Sequence, residues 1–256
     1  MEARVVEGGR GWQWIVDGFA LFRKSPAMWI ALTVVLAVLW LLSFVIPLLG
    51  PLLFNLLSPV LFAGLMIGCR ALENGEELEI RHLFAGFKQY ATPLVTIGGV
   101  YLVGTIIVFG IVFLTAGGSM LSITLMKPGV DLETLVAAIR SLALALALGA
   151  AVYIPLIMLI WFAPLLVVFN GLAPVDAMKL SFAACCKNWL SFLVYGVAIL
   201  VLWFILSLPA ALGFVGMLLV VALLLASIPV LFCSIYASYK DLFTASAGIG
   251  GNLFPK

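Results

Sequence analysis

Four long stretches of this chain carry no charged side chain: between Lys24 and Arg70, Lys88 and Lys127, Arg140 and Asp176, and Lys187 and Lys240. Soluble domains carry about 25% charged and about 45 to 50% apolar residues. Here 9% are charged and 65% hydrophobic, with a mean hydropathy of +1.29. Lipid is therefore the solvent. Hydrocarbon requires every backbone N–H and C=O to be bonded within the protein, and apolar runs of about 20 residues select helices. Apolar runs and breaker residues predict six transmembrane helices, near residues 27–47, 51–69, 93–116, 141–169, 190–208 and 213–239. Tight uncharged turns at 47–51 and 209–213 alternate with charged loops, which predicts three helical hairpins. The expected fold is an all-α integral membrane protein, with residues 1–256 forming a single polytopic domain.

The charged loops set the orientation. Of the 13 Lys and Arg, only Lys127 and Arg140 fall on one side of the predicted membrane. Short loops rich in these residues stay in the cytoplasm, so both termini are expected there. The first span starts well into the chain and has no small-residue cleavage site at its end, so it reads as a retained helix. No Arg- and Ser-rich transit leader precedes it, which points to a bacterial inner membrane. A net charge of +2 with no basic stripe excludes a nucleic-acid partner.

Three shorter segments show helical apolar spacing. Trp12, Ile15, Val16, Phe19 and Phe22 are set against Gln13, Asp17, Arg23 and Lys24. Ile80, Leu83, Phe84, Phe87 and Ala91 are set against Glu79, Arg81, His82 and Lys88. Val175, Met178, Phe182, Cys185 and Trp189 are set against Asp176, Lys179 and Lys187. Each precedes a hairpin, and the second helix of each hairpin holds a proline, at Pro59, Pro164 and Pro229. The spacing predicts a parallel pseudo-repeat with units near 8–72, 73–170 and 171–243, its axis along the membrane normal. The short helices are expected in the cytoplasmic headgroup layer, with Trp12, Trp14, Phe19, Phe84, Phe87 and Trp189 at the boundary and Arg23, Lys24, Lys88 and Lys187 reaching anionic lipid. The alternative is that they pack on the bundle as cytoplasmic extensions.

Catalytic, cofactor and metal signatures are missing from the sequence. His82 is the single histidine, and one imidazole makes no metal site. Cys69, Cys185, Cys186 and Cys233 map to the reducing side, and the adjacent pair lacks the spacing that zinc or redox motifs use. Glu73, Glu76, Glu77 and Glu79 precede the second amphipathic segment, where negative charge complements a helix start. No Asp, Glu, Lys, Arg or His lies inside the predicted spans, which argues against proton or ion coupling. Asn55 and Ser58 are the first candidates for a polar spot on a cavity wall. Small residues at Gly64 and Gly68, Ala145 and Gly149, and Ala222 and Ala226 are spaced for close helix contact.

Two stretches carry a family likeness: Gly9-Arg10-Gly11-Trp12-Gln13-Trp14-Ile15 running on to Pro26-Ala27-Met28-Trp29, and Ser58-Pro59 running through Ala63-Gly64-Leu65-Met66-Ile67-Gly68-Cys69-Arg70 to Gly75-Glu76. With them the chain resembles an uncharacterised family of proteobacterial multi-pass inner-membrane proteins. The hairpin layout is more loosely similar to the membrane domain of some glycerophosphodiester phosphodiesterases, whose catalytic domain this chain lacks. Neither resemblance implies an activity or transfers a functional residue. The sequence is read as a non-enzymatic scaffold or modulator whose partners are membrane lipids, another membrane protein or a second copy of itself. The alternative is a channel or uncoupled carrier for a neutral or apolar solute. An enzyme, with His82, Glu77 and a thiol around a metal, ranks third.

Overall fold

The computed structural model describes residues 2–125 and 132–244, apart from the side chains of 118–125 and Thr134. Lys127 and Lys256, both used in the charge count, lie outside the described residues. Among those described, the regular structure is helical: α1 (Arg10–Phe22), α2 (Pro26–Ser43), α3 (Leu49–Glu73), α4 (Gly86–Gln89), α5 (Ala91–Leu125), α6 (Leu132–Ile160), α7 (Ala163–Asn170), α8 (Pro174–Lys187), α9 (Trp189–Ser207) and α10 (Phe214–Phe243). Short 3-10 turns occupy Ile80–Phe84 and Leu208–Leu212. Six segments are long and apolar enough to cross a membrane: Pro26–Ser43, Leu49–Glu73, Ala91–Gly117, Leu135–Asn170, Trp189–Leu212 and Phe214–Phe243. They coincide with the six predicted spans to within a few residues at most ends.

The helices pack tightly at one end and loosely at the other. Buried residues of α2 (Trp29, Leu32, Thr33) and α9 (Ser191, Tyr195) lie in their first turns, while those of α3 and α10 concentrate in the second half of each helix. All four sets belong to the end that carries the N-terminal segment and the loops holding most Lys and Arg, called here the basic end. Toward the opposite end the apolar side chains of α2, α9 and α10 face outward. A bilayer would cover them, so their exposure from protein carries no penalty.

The fourth span is not the single helix expected over 141–169. It breaks at Trp161–Phe162, between α6 and α7. Pro164 has no N–H to give the preceding turn. A hydroxyl from α8 enters the gap: Ser181 Oγ donates to the Met158 carbonyl at 2.7 Å and accepts from the Phe162 N–H at 3.0 Å. In an unbroken helix these two backbone groups would bond each other, so Ser181 sits inside that bond and satisfies both halves. Pro59 and Pro229, by contrast, lie within continuous helices.

The segment before α5 also departs from expectation. In place of one amphipathic helix, the 3-10 turn and the four-residue α4 follow each other. The chain crosses α3 here so closely that a Cβ on Gly64 would stand 2.2 Å from the Leu83 carbonyl oxygen. Straight helix through 80–91 has no room over that contact.

Candidate functional site

No charged residue was expected to matter inside the bundle, yet the basic end gathers several. α1 starts this arrangement. Its inward seam is Gly11, Trp14, Gly18 and Leu21, spaced three and four apart and buried. A Cβ on Gly11 would be 2.1 Å from the Ser191 carbonyl of α9, and one on Gly18 would be 2.5 Å from the Ser234 nitrogen of α10. The two glycines thus let one short helix dock on both long ones. Asp17 goes inward with this seam and is only 2% exposed, which corrects its assignment to a wet face. Burial raises the Asp17 pKa, opposed by the hydrogen bond from Gln13 (3.2 Å) and the charge of Arg10; Oδ2 is buried without a hydrogen-bond partner.

Trp14 is fully buried and is removed from the lipid-boundary candidates, because its indole N–H is needed inside: Nε1 donates to Asp241 Oδ2 at 2.9 Å. Arg10 Nε donates to the same oxygen at 2.7 Å. Beside them Lys240 pairs with Glu73, whose other oxygen accepts from the Tyr236 hydroxyl at 2.7 Å. The extended N-terminal segment closes the end. Arg4 N–H donates to the Leu242 carbonyl, Val6 N–H to Asn188 Oδ1, and Asn188 Nδ2 to the Arg4 carbonyl. Sequence reading missed this cluster because its charges sit at span ends. The available signal was the glycine spacing at 11 and 18, which marks a packed seam rather than the Trp12–Phe19 face.

The remaining boundary candidates face out from the protein. Trp12, Phe19, Phe84, Phe87 and Trp189 are exposed, Trp189 by 64%. Arg23, Lys24, Lys88 and Lys187 are exposed as well; Arg23 stands 6.0 Å over the Phe19 ring, Lys24 donates to the Leu72 carbonyl, and Lys187 lies 3.7 Å from Glu2.

Three concavities accompany these elements. A cleft of about 330 Å3 lies among α2, α3, α5, α6, α7 and α10, with Pro59, Tyr101, Trp161, Pro164 and Phe232 on its walls. Ser58 also lines it, its hydroxyl donating to the Asn55 carbonyl at 2.8 Å; Asn55 is not among the lining residues. A groove of about 350 Å3 runs between α1, α9 and α10, from Trp12 and Phe19 to Trp203 and Leu223. Both are almost wholly apolar, and both fall at the small end of the roughly 300 to 1,000 Å3 range of ligand sites. A third, more polar pocket of about 320 Å3 at the basic end includes Arg70 and Lys88.

His82 serves its own turn, its Nδ1 accepting from the Glu79 N–H at 3.0 Å. Cys69, Cys185 and Cys233 are buried and Cys186 is exposed; burial pushes the Cys185 thiol up to about 12. Among the described residues no group of three His, Cys, Asp or Glu side chains is placed to hold a metal ion.

No family model matches the chain, and no solved structure matches it. A protein of Burkholderia thailandensis described as "Probable inner membrane protein" is 30% identical over 258 aligned positions, covering 95% of this chain and 94% of the relative.

Proposed function

The chain belongs to the family of that Burkholderia thailandensis inner membrane protein, and from this premise we propose that it is a non-enzymatic scaffold or modulator that works by holding membrane lipid. The observation that carries the reading is the central cleft: nearly apolar walls, a volume of about 330 Å3, and a lining without Asp, Glu, Lys, Arg or His. Acyl chains are the apolar molecules that surround such a protein at the highest concentration. The outward Trp12–Phe19 face of α1 and the groove beneath it add a second apolar surface of similar size. In this reading the basic end faces the cytoplasm, as the distribution of Lys and Arg favours.

The test is lipid retention. The protein is purified in mild detergent, its bound lipid is counted by native mass spectrometry, and the count is repeated for Ile157→Trp, which fills the cleft, and for Val221→Trp on the outward face of α10. Retention falling in the first variant and not in the second supports the reading. Equal retention in all three sinks it. One feature favours the second reading, an uncoupled carrier for an apolar solute: the helix break at Trp161–Phe162 borders the cleft, and interrupted spans line the paths of many transporters. Passage of a neutral solute across reconstituted vesicles, abolished by Ile157→Trp, would favour it.

A further inference from the structure

The pocket at the basic end holds two cations that take part in none of the ion pairs among the described residues. Arg70 lies in the last turn of α3 and Lys88 in α4. The ion pairs formed among the described residues are Arg10 with Asp241, Arg81 with Glu79, Lys187 with Glu2 and Lys240 with Glu73; neither Arg70 nor Lys88 takes part. The Arg70 guanidinium stands 5.2 Å over the Phe169 ring. No carboxylate lines the pocket, whereas Gln89 and Tyr90 add neutral polar groups to the two cations. Two like charges converging on one concavity repel each other and are stabilised by an anion placed between them.

We propose that this pocket binds the phosphate of an anionic membrane phospholipid. A phosphate diester supplies the acceptor oxygens that a guanidinium and an ammonium recognise. The apolar part of the wall, with Val168 and the Phe169 face, suits the glycerol and first methylenes of a lipid better than a hydrated free ion. Phe84 and Phe87 are exposed in the adjoining turn and α4, the placement that aromatic side chains take at the depth of lipid headgroups. With no carboxylate in the lining, nothing selects the ammonium of a zwitterionic headgroup, so the preference is for net negative lipid. This inference rests on the lipid-holding reading and assigns it a headgroup site, which the sequence analysis had approached only through Lys88.

The experiment separates the two claims. Wild-type protein and the Arg70→Gln/Lys88→Gln double variant are purified from the same membranes. Total bound lipid and its class are read by native mass spectrometry, and thermal stability is read in vesicles of phosphatidylglycerol or phosphatidylcholine, and in detergent with inorganic phosphate. Expected is a wild-type preference for phosphatidylglycerol that falls about tenfold or more in the double variant while total bound lipid stays unchanged. An unchanged class preference in the double variant overturns the headgroup site and leaves the lipid reading standing. Loss of all bound lipid already in wild type overturns both. Inorganic phosphate stabilising wild type as well as phosphatidylglycerol does overturns the lipid assignment in favour of a free-anion site. Should the double variant misfold, Lys88→Gln alone, at an exposed position, is expected to lose part of the same preference, and its failure to do so overturns the proposal.

Discussion

The wall between α3 and α5 can be tested at two neighbouring glycines that differ in only one respect. A Cβ on Gly98 would stand 1.9 Å from the Leu56 carbonyl oxygen and 2.9 Å from its carbon, both backbone atoms, while nothing lies within 4 Å of a Cβ on Gly99. Ordinary contact begins near 3.4 Å, so Gly98→Ala forces the two helices apart by more than an ångström. Overpacking of this kind costs about 1 to 3 kcal/mol. Replacing a mid-helix glycine by alanine also lowers the unfolded chain's entropy, a gain of about 0.5 to 1 kcal/mol that Gly99→Ala collects with no clash against it. Both variants share that gain, so they should differ by the clash alone, about 1 to 3 kcal/mol, with Gly98→Ala the less stable. Reversible unfolding in mixed SDS micelles, followed by far-UV circular dichroism, measures the difference. Because Ser58 on α3 and Tyr101 on α5 both line the cleft, Gly98→Ala should also alter lipid retention. A difference below about 0.5 kcal/mol between the variants would mean that α3 and α5 are not in backbone contact, and the cleft geometry would fall with it.

Four further outcomes follow from individual contacts. Ser181→Ala removes the hydroxyl that serves both the Met158 carbonyl and the Phe162 N–H; a loss of about 1 to 3 kcal/mol is expected in the same unfolding assay, and an unchanged midpoint would show that the break does not depend on it. Asp241→Ala strands the buried Trp14 indole N–H and unpairs Arg10, for an expected loss of about 2 to 3 kcal/mol, whereas Asp241→Asn should retain part of it; equal losses would contradict the assigned contacts. Asp17 has a folded pKa raised by burial, so its ionisation opposes folding, and stability from this group is regained as pH falls through the folded pKa toward the unfolded value of about 3.9. Asp17→Asn should therefore be more stable than wild type at pH 7, and that advantage should shrink as pH is lowered toward 4; a constant difference across the range refutes the buried-carboxylate reading. Finally, a membrane-impermeant maleimide should label Cys186 in inverted vesicles and not in intact cells, the other thiols being buried; labelling from outside would reverse the proposed orientation.

Most of the membrane architecture was legible because a charge-free stretch has a single physical explanation. The six spans, their pairing and the spread of Lys and Arg needed nothing beyond hydropathy and breaker residues. What escaped was decided by contacts between distant segments. Asp17 looked solvent-facing because its neighbours on the wheel are polar, but Gly11 and Gly18 turn that side of α1 toward α9 and α10. Gly64 and Gly68, spaced for helix pairing, instead receive the turn at 78–83: Leu78 and Leu83 lie against them. Pro164 was legible only as a proline that the three hairpins share, whereas the break needed Ser181 to arrive from another helix to satisfy the freed groups. Arg70 entered the sequence reading only as the edge of a charge-free stretch and as part of the family likeness, and its proposed role emerges only when Phe169 and Lys88 are placed beside it.

The unequal packing of the two ends bears on how a ligand would reach the clefts. At the basic end the buried Trp14, Asp241 and Tyr236 and the half-buried Lys240 and Glu73 form a bonded layer, held by α1 and the N-terminal segment. A polar solute crossing there would have to break charge-assisted bonds at a low dielectric, where each is costly to lose. Between α9 and α10, by contrast, the walls are apolar and lead outward to side chains that only lipid can cover. Entry from within the bilayer therefore needs no desolvation of polar groups, whereas entry through the basic end does. That asymmetry favours lipid moving laterally into the protein over a solute moving through it, and it makes α1 the element to perturb. Gly18→Leu, which must lift α1 off Ser234, should loosen the sealed end and widen the groove at once.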